Sequence, residues 1–434
     1  MPIKRTRWRV CAASVLALVC ALTALGCGSS STGSSSSGAS PASGATSQST
    51  QAASASTSLK CGQDVAYSNQ SPDHSLQTLP AAVRARYNTW PDAVTRTPWT
   101  NAKFPKPPWK LGLIYESPTG PYDVDVIAEA KREFAAAKAK GLVKGNLVTY
   151  ISPSAETQTP EQQISAVQSM VRQGVNAIMA LPIDGTAMGP VVTAAGKAGV
   201  PFITIDNFVP NSKYAINVWS DSSSPAFAGM AGQVKKGNIL IVRGIAGNTT
   251  EAAFYRDALA DIKACPQEKV VGTVFGNFNS ATAKTAVTSF ISSHPGLPIN
   301  GVAEIGVMGA GVMSAFQSLG KTVPPVADGG CEGGDLSWWL AHKSTYSTTA
   351  GCTNGFQVAY DEIRIALRIL GGKGLKLNSV PLPTAVVTNA NLAEYATPGK
   401  SLTWTGEARG PLDALCSESC LDGYFEKPGT PGGI

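Results

Sequence analysis

The chain has 434 residues, with 35 lysines and arginines against 29 aspartates and glutamates, a net charge of +6, nine cysteines and three histidines. Four of the basic residues, Lys4, Arg5, Arg7 and Arg9, stand at the start with no acid near them. Without those four the balance of +6 falls to +2, which excludes an electrostatic case for nucleic acid or an anionic membrane surface.

Residues 1–26 read as an export signal, with that basic head followed by an uncharged apolar run over 10–26 that is short for a membrane span. Ala24-Leu25-Gly26-Cys27 resembles a bacterial lipobox, with Ala24 where a leucine is commoner. Cys27 is therefore the expected lipidation site. Residues 27–60 are Ser/Gly-rich, and 28–58 carry no charge. Such a composition buries too little apolar surface to offset its ordering entropy, so it reads as a tether. The protein is expected outside the cell, held at the outer face of the membrane by its lipid.

Cysteine usage agrees with export. Cys11, Cys20 and Cys27 fall in the leader, leaving Cys61, Cys265, Cys331, Cys352, Cys416 and Cys420. An even set in an oxidising compartment points to disulfides, and six cysteines allow fifteen connectivities in principle. Closeness in sequence favours Cys331 with Cys352 and Cys416 with Cys420; Cys61 with Cys265 follows by elimination. The spacings are not those of a zinc site, and the histidines, at 74, 294 and 342, are not grouped as a catalytic or metal-binding set. No P-loop, G-x-S-x-G elbow or H-E-x-x-H occurs, so no catalytic residue, cofactor or metal is expected.

Residues 61–108 hold Trp90, Trp99 and a proline-rich run, and read as an extended arm. From 109 onward strands and helices alternate. Residues 111–115 predict a strand, and 123–140 a helix with Ile127, Ala130, Phe134 and Ala137 on one face. A strand follows at 147–151. Thr159-Pro160-Glu161-Gln162 is a helix start, with a capping threonine, proline in the first turn and a glutamine closing the box. Residues 177–181 form a strand, Asp184 caps a helix, Gly199 ends it, and 200–205 is a buried strand that stops at Asp206. A second set repeats the pattern: strands at 237–242, 270–275 and 301–304, helices at 250–263, 281–293 and 311–319, and Val326-Ala327 stopping at Asp328. This is an α/β pattern with parallel sheets, too long for one comfortable core. Ligands of open α/β sheets sit at the carboxyl ends of strands, where both acids fall.

These motifs together are similar to the type I periplasmic binding proteins, in the ribose-binding branch of sugar ABC-transporter substrate-binding lipoproteins. The residues that carry the likeness are Gln173-Gly174-Val175-Asn176-Ala177, Pro182-Ile183-Asp184, Ala198-Gly199-Val200-Pro201, Thr204-Ile205-Asp206, Ala327-Asp328-Gly329 and Ala385-Val386-Val387-Thr388, within residues 109–391. The resemblance implies two Rossmann-like lobes joined by a three-crossing hinge. Lobe 1 is expected at 109–219 plus 353–384 and lobe 2 at 220–352 plus 385–396, with 397–434 as a C-terminal extension. It also implies a small-molecule ligand clamped in the cleft, a membrane permease as partner, and a monomer.

By the same resemblance Asp206 is the hydroxyl-binding acid, Asp328 is its counterpart across the cleft, and Tyr122 and Phe278 are stacking aromatics. Asn207 stands where the ribose pattern has an arginine. Tyr115, Glu116 and Asp123 lie at the first strand end, and Trp219 near the hinge; these are further candidates. A second family arginine, on the helix near 252–254, is missing here, and Ile305-Gly306 replaces a polar pair. A site with fewer hydroxyl partners suits a sugar-like solute or a less polar one. The remaining alternative is a sensor of the same fold that signals through another membrane partner.

Overall fold

The computed structural model describes residues 59–67, 71–155, 157–408, 410 and 416–433. Cys27, the leader and nearly all of the tether lie outside the described residues. Among the described residues no helix is long and apolar enough to cross a membrane.

Helix α1 (Ala81–Arg84) lies in the N-terminal extension. The first half of the body runs β1 (Leu111–Tyr115), α2 (Pro121–Ala139), β2 (Val148–Ile151), α3 (Pro160–Arg172), β3 (Ala177–Ala180), α4 (Gly185–Lys197), β4 (Phe202–Ile205) and β5 (Ala215–Ser220). The second half runs α5 (Ser223–Val234), β6 (Lys236–Arg243), α6 (Thr249–Lys263), β7 (Gln267–Phe275), α7 (Ser280–Ser293), β8 (Gly301–Glu304), α8 (Gly309–Ser318), β9 (Val326–Ala327), α9 (Gly333–His342) and β10 (Ala350–Cys352). The chain returns through α10 (Gly355–Leu370), β11 (Ser379–Leu382) and β12 (Ala385–Val387), then ends with α11 (Leu392–Tyr395) and α12 (Glu418–Asp422).

Two sheets define two lobes. In lobe 1 six strands lie in the order β11-β5-β4-β3-β1-β2, every neighbour parallel. In lobe 2 the order is β7-β6-β8-β9, again parallel. A bridge between Asp328 and Ala350 continues this sheet to β10, which pairs antiparallel with β12. Parallel strands covered on both faces are apolar throughout, and β1, β3 and β4 are buried at every position.

The helix starts follow their caps. Asp123, third in α2, accepts the Gly120 N–H at 3.0 Å. Gln162 accepts the Thr159 N–H at 3.2 Å, and Asp184 accepts the Ala187 N–H at 3.0 Å. Each satisfies an orphan donor of a first turn. Helix α10 buries both of its arginines. Arg364 meets Glu133, and Arg368 meets Glu418 at 2.6 Å and Asp422 at 2.7 Å, so the C-terminal segment docks on lobe 1 by charge.

The chain passes between the sheets after β5, after β10 and after β11. The Ser220 hydroxyl at the first passage meets one hydroxyl at each of the other two, contacting Thr353 and, at 3.1 Å, Thr384. Both extensions also touch both lobes. Cys61 is joined to Cys265 at the end of α6, whereas Tyr87 donates to the Ser379 carbonyl of β11 at 2.7 Å. Residues 404–408 lie on lobe 2, where Gly333 N–H donates to Gly406 at 3.0 Å. The other disulfides join Cys331 to Cys352 and Cys416 to Cys420.

Candidate functional site

A cavity of about 100 Å3 lies between the lobes at the carboxyl ends of their strands. At roughly 10–15 Å3 for each water-sized position, it has room for about seven to ten heavy atoms. Lobe 1 contributes Glu116 and Thr119 after β1, Tyr122 and Asp123 from α2, and Asp206 and Asn207 after β4. Lobe 2 contributes Asn248, Thr250 and Phe254 near the start of α6, Phe278 after β7, Gly306-Val307 after β8 and Gly329-Gly330 after β9. Ser220, Ser222 and Thr353 close the hinge side.

Asp206 has φ 48°, a left-handed conformation that a non-glycine residue adopts at some cost, as sites often require. Its carboxylate accepts the Tyr122 hydroxyl through Oδ2, while Oδ1 is shielded from solvent and has no hydrogen-bond partner. Burial pushes the carboxyl up to about 6, against the Tyr122 hydrogen bond, which lowers it. Glu116 is 6% exposed, its Oε2 is likewise unpartnered, and burial, with Asp123 beside it, holds the carboxyl well above the usual range. Phe278, also left-handed at φ 53°, lays its ring where Gly244 and Gly306 leave space; a Cβ on Gly244 would stand 2.2 Å from the ring.

Other sequence candidates are engaged by the protein. Asp123 is on the wall, but it accepts the N–H groups of Thr119 at 2.7 Å and Gly120 at 3.0 Å and the Tyr115 hydroxyl at 3.2 Å, which makes it a helix cap. Tyr115 lies behind the wall. Asn207 donates to the Pro182 carbonyl and accepts from Thr249 and Thr250. Trp219 is 1% exposed in an aromatic group with Trp90, Phe208 and Phe254, behind the wall residue Phe254 and not itself on the wall. Asp328 does not face Asp206. It turns back to accept the Gly330 N–H at 2.8 Å, among the buried acids Glu304, Glu332 and Asp335, and the Gly329-Gly330 backbone takes its place on the wall.

Sequence reasoning missed Asn248, Thr250, Ser222 and Thr353. Asn248-Thr249-Thr250-Glu251 was a readable helix start, since Asn248 accepts the Glu251 N–H at 2.9 Å. The hinge hydroxyls left no signal, because isolated Ser and Thr are common in any loop. Outside the cavity the cleft widens to about 840 Å3, where residues 402–407 of the C-terminal extension form one side.

Two parallel α/β lobes, three crossings and a cavity at the facing strand ends define a cleft-type solute-binding protein. A model of the periplasmic binding protein domain matches residues 111–374. The xylitol-binding protein of Mycolicibacterium smegmatis is 30% identical over 257 residues, covering 58% of this chain and 72% of that protein. The ribose import binding protein of Bacillus subtilis is 28% identical over 168 residues, 37% of this chain and 53% of its own. An ABC transporter solute binding protein from Thermobispora bispora has the same fold, with a TM-score of 0.60 at 23% identity over 75% of this chain and 100% of that one. The chain belongs to the periplasmic binding protein family, in its type I, ABC-import branch. It is an extracytoplasmic solute-binding protein and not an enzyme.

Proposed function

We propose that this protein captures a small polyhydroxylated solute of pentose or pentitol size between its lobes and presents it to an ABC permease. The observation that carries the reading is the unpartnered carboxylate oxygen of Asp206, a residue that lines a cavity sized for about seven to ten heavy atoms. A pentitol fits that count and a disaccharide does not. A ligand hydroxyl donating to Oδ1 satisfies an acceptor that is otherwise buried alone, and such pairing discriminates against solutes that lack it. Phe278 offers an apolar face for the C–H side of the solute. The names of the xylitol- and ribose-binding relatives support the same class.

In this reading Glu116 and Asp206 are the polar contacts, Tyr122 orients Asp206, and Asn207 holds the lobes together. Cys27 carries the lipid that keeps the protein at the membrane near its permease, and the protein works as a monomer. Calorimetric titration of the purified protein with xylitol, ribose and allose tests the ligand class; absence of heat and of any thermal shift with every polyol and sugar at millimolar concentration would sink it. Mass spectrometry of the membrane fraction tests the anchor, for which a diacylated Cys27 is expected and an unmodified residue in a soluble protein is the refuting result.

A further inference from the structure

We propose that the solute held in this cavity carries a protonated amine, so that its class is an amino-substituted polyol or sugar. The inference rests on the reading that the cavity is the ligand site, and it adds the charge of the ligand.

The wall contains three carboxyl groups, Glu116, Asp123 and Asp206, and no lysine, arginine or histidine. Asp123 is consumed by the cap of α2. Each of the other two has one oxygen, Glu116 Oε2 and Asp206 Oδ1, that is out of solvent and without a partner. Two acceptors of one sign in one small enclosure are costly unless an opposite charge and its hydrogens enter with the ligand. An ammonium group brings both: a positive charge and three donors, enough to meet several acceptors at once. A neutral polyol can supply a separate hydroxyl to each oxygen, but it brings no charge to offset two carboxyl groups that have no basic partner on the wall. The ring of Phe278 on the same wall also suits a cation.

Neither the arginine that ends β6 nor the one on α6 compensates. Arg243 pairs with Glu251 at 2.8 Å and lies over the Tyr255 ring, and Arg256 faces Tyr67 and Asp257. At the position after Asp206, where the resemblance implies an arginine, the side chain is the uncharged Asn207, already tied to α6. The cavity has thus kept its acids and lacks the cations that would balance them internally.

The test compares xylitol with 1-amino-1-deoxyxylitol by calorimetry on the full chain at pH 7, a pair that differs by one hydroxyl-to-ammonium exchange. The expected result is at least tenfold tighter binding of the amine. Glu116→Gln should reduce that ratio to threefold or less, and Asp206→Asn should do the same if the first variant fails to fold. Glu332→Gln, an acid of lobe 2 outside the cavity, should leave the ratio unchanged. Xylitol binding as tightly as its amine, or a ratio that survives both cavity variants, overturns the inference while leaving the polyol reading intact. Failure of both compounds to bind overturns the two together.

Discussion

The side-chain carbonyl of Asn207, just after β4 in lobe 1, accepts both the N–H of Thr249 at 2.9 Å and its hydroxyl at 2.6 Å, at the first turn of α6 in lobe 2. The Thr250 N–H joins at 3.2 Å, and the Thr250 hydroxyl donates to the Asp206 carbonyl at 2.8 Å. A helix start in one lobe is therefore capped by a residue of the other. The Thr249 and Thr250 N–H groups have this partner only while the lobes are together, whereas the Glu251 N–H is capped within lobe 2 by Asn248. The closed arrangement has direct protein bonds in addition to whatever the ligand supplies.

Asn207→Ala should weaken this latch. Loss of a capping side chain costs about 1–2 kcal/mol. Here that cost falls on the closed state alone, because the lobes separate on opening. The expected outcome is a larger radius of gyration of the ligand-free protein by small-angle scattering and an affinity loss on the order of tenfold, since apparent affinity scales with the competent fraction. A variant with wild-type scattering and affinity would show that the latch contributes nothing to closure.

Asp206 acts differently, through its free oxygen. Asp206→Ala should reduce xylitol affinity by about 1–3 kcal/mol, the usual consequence of leaving a buried partner unpaired. Because Tyr122 donates to the same carboxylate, Tyr122→Phe should lose less, as the acid remains but its orientation is loosened. Calorimetry on the two variants distinguishes them: equal losses would mean that Asp206 serves only to hold Tyr122.

Legibility in the sequence varied with how much of each element's environment is local. Strands β1, β3 and β4 are unbroken apolar runs, and α3 and α4 announce themselves by capping residues, so the first lobe could be read directly. Strand β5 could not. Its Ala-Ile-Asn-Val-Trp-Ser pattern places Asn217 in mid-strand, and only the fold shows that this amide exchanges hydrogen bonds with the backbone of Val209 at 3.0 and 3.2 Å. The site shows the same division. Asp206 and Asp328 both end strands and look alike in sequence. Whether such a carboxylate points into a cleft or folds back onto the next N–H is decided by the φ of the residue and the turn after it, and the turn at Gly329-Gly330 turned Asp328 away. Asn207 looked like a ligand contact because its true partners lie 42 and 43 residues further along the chain.

The N-terminal extension is tied to lobe 2 by Cys61–Cys265, a link across 204 residues of sequence. Gly62 packs against Gly232 of α5 beside it, with a Cβ at Gly62 lying 3.1 Å from the Gly232 Cα. A cross-link over so long a loop removes much of the freedom of the unfolded chain, and its loss costs about 2–5 kcal/mol. The double variant Cys61→Ser with Cys265→Ser should therefore unfold at lower denaturant concentration, with little change in the affinity of a ligand bound on the far side of the lobe. An unchanged midpoint would mean that the packing of 59–67 holds without the bond.

Near that disulfide Asp64, Asp221, Asp257 and Asp261 lie close enough to interact, and Arg256 stands against Asp257 and Asp221. Burial pushes Asp221 up to about 6; burial together with repulsion from neighbouring carboxylates pushes Asp64 to about 8 and Asp261 to about 10 and holds Asp257 well above the usual range. The sign follows from linkage. These acids hold protons in the folded protein that the unfolded chain releases above its ordinary value of 3.8, so their full stability is present below that pH and is lost progressively as pH rises toward about 6, 8 and 10. The melting temperature should therefore decline from pH 4.5 to pH 8.5 and not peak at neutrality. Asp261→Asn keeps the neutral shape and removes one group that must stay protonated. It should raise the melting temperature at pH 8.5 by a few degrees, on the order of what 1 kcal/mol moves a domain of this size, and leave it unchanged at pH 4.5. An equal gain at both pH values would assign the effect to packing, because only an electrostatic cost vanishes when the aspartate is already neutral.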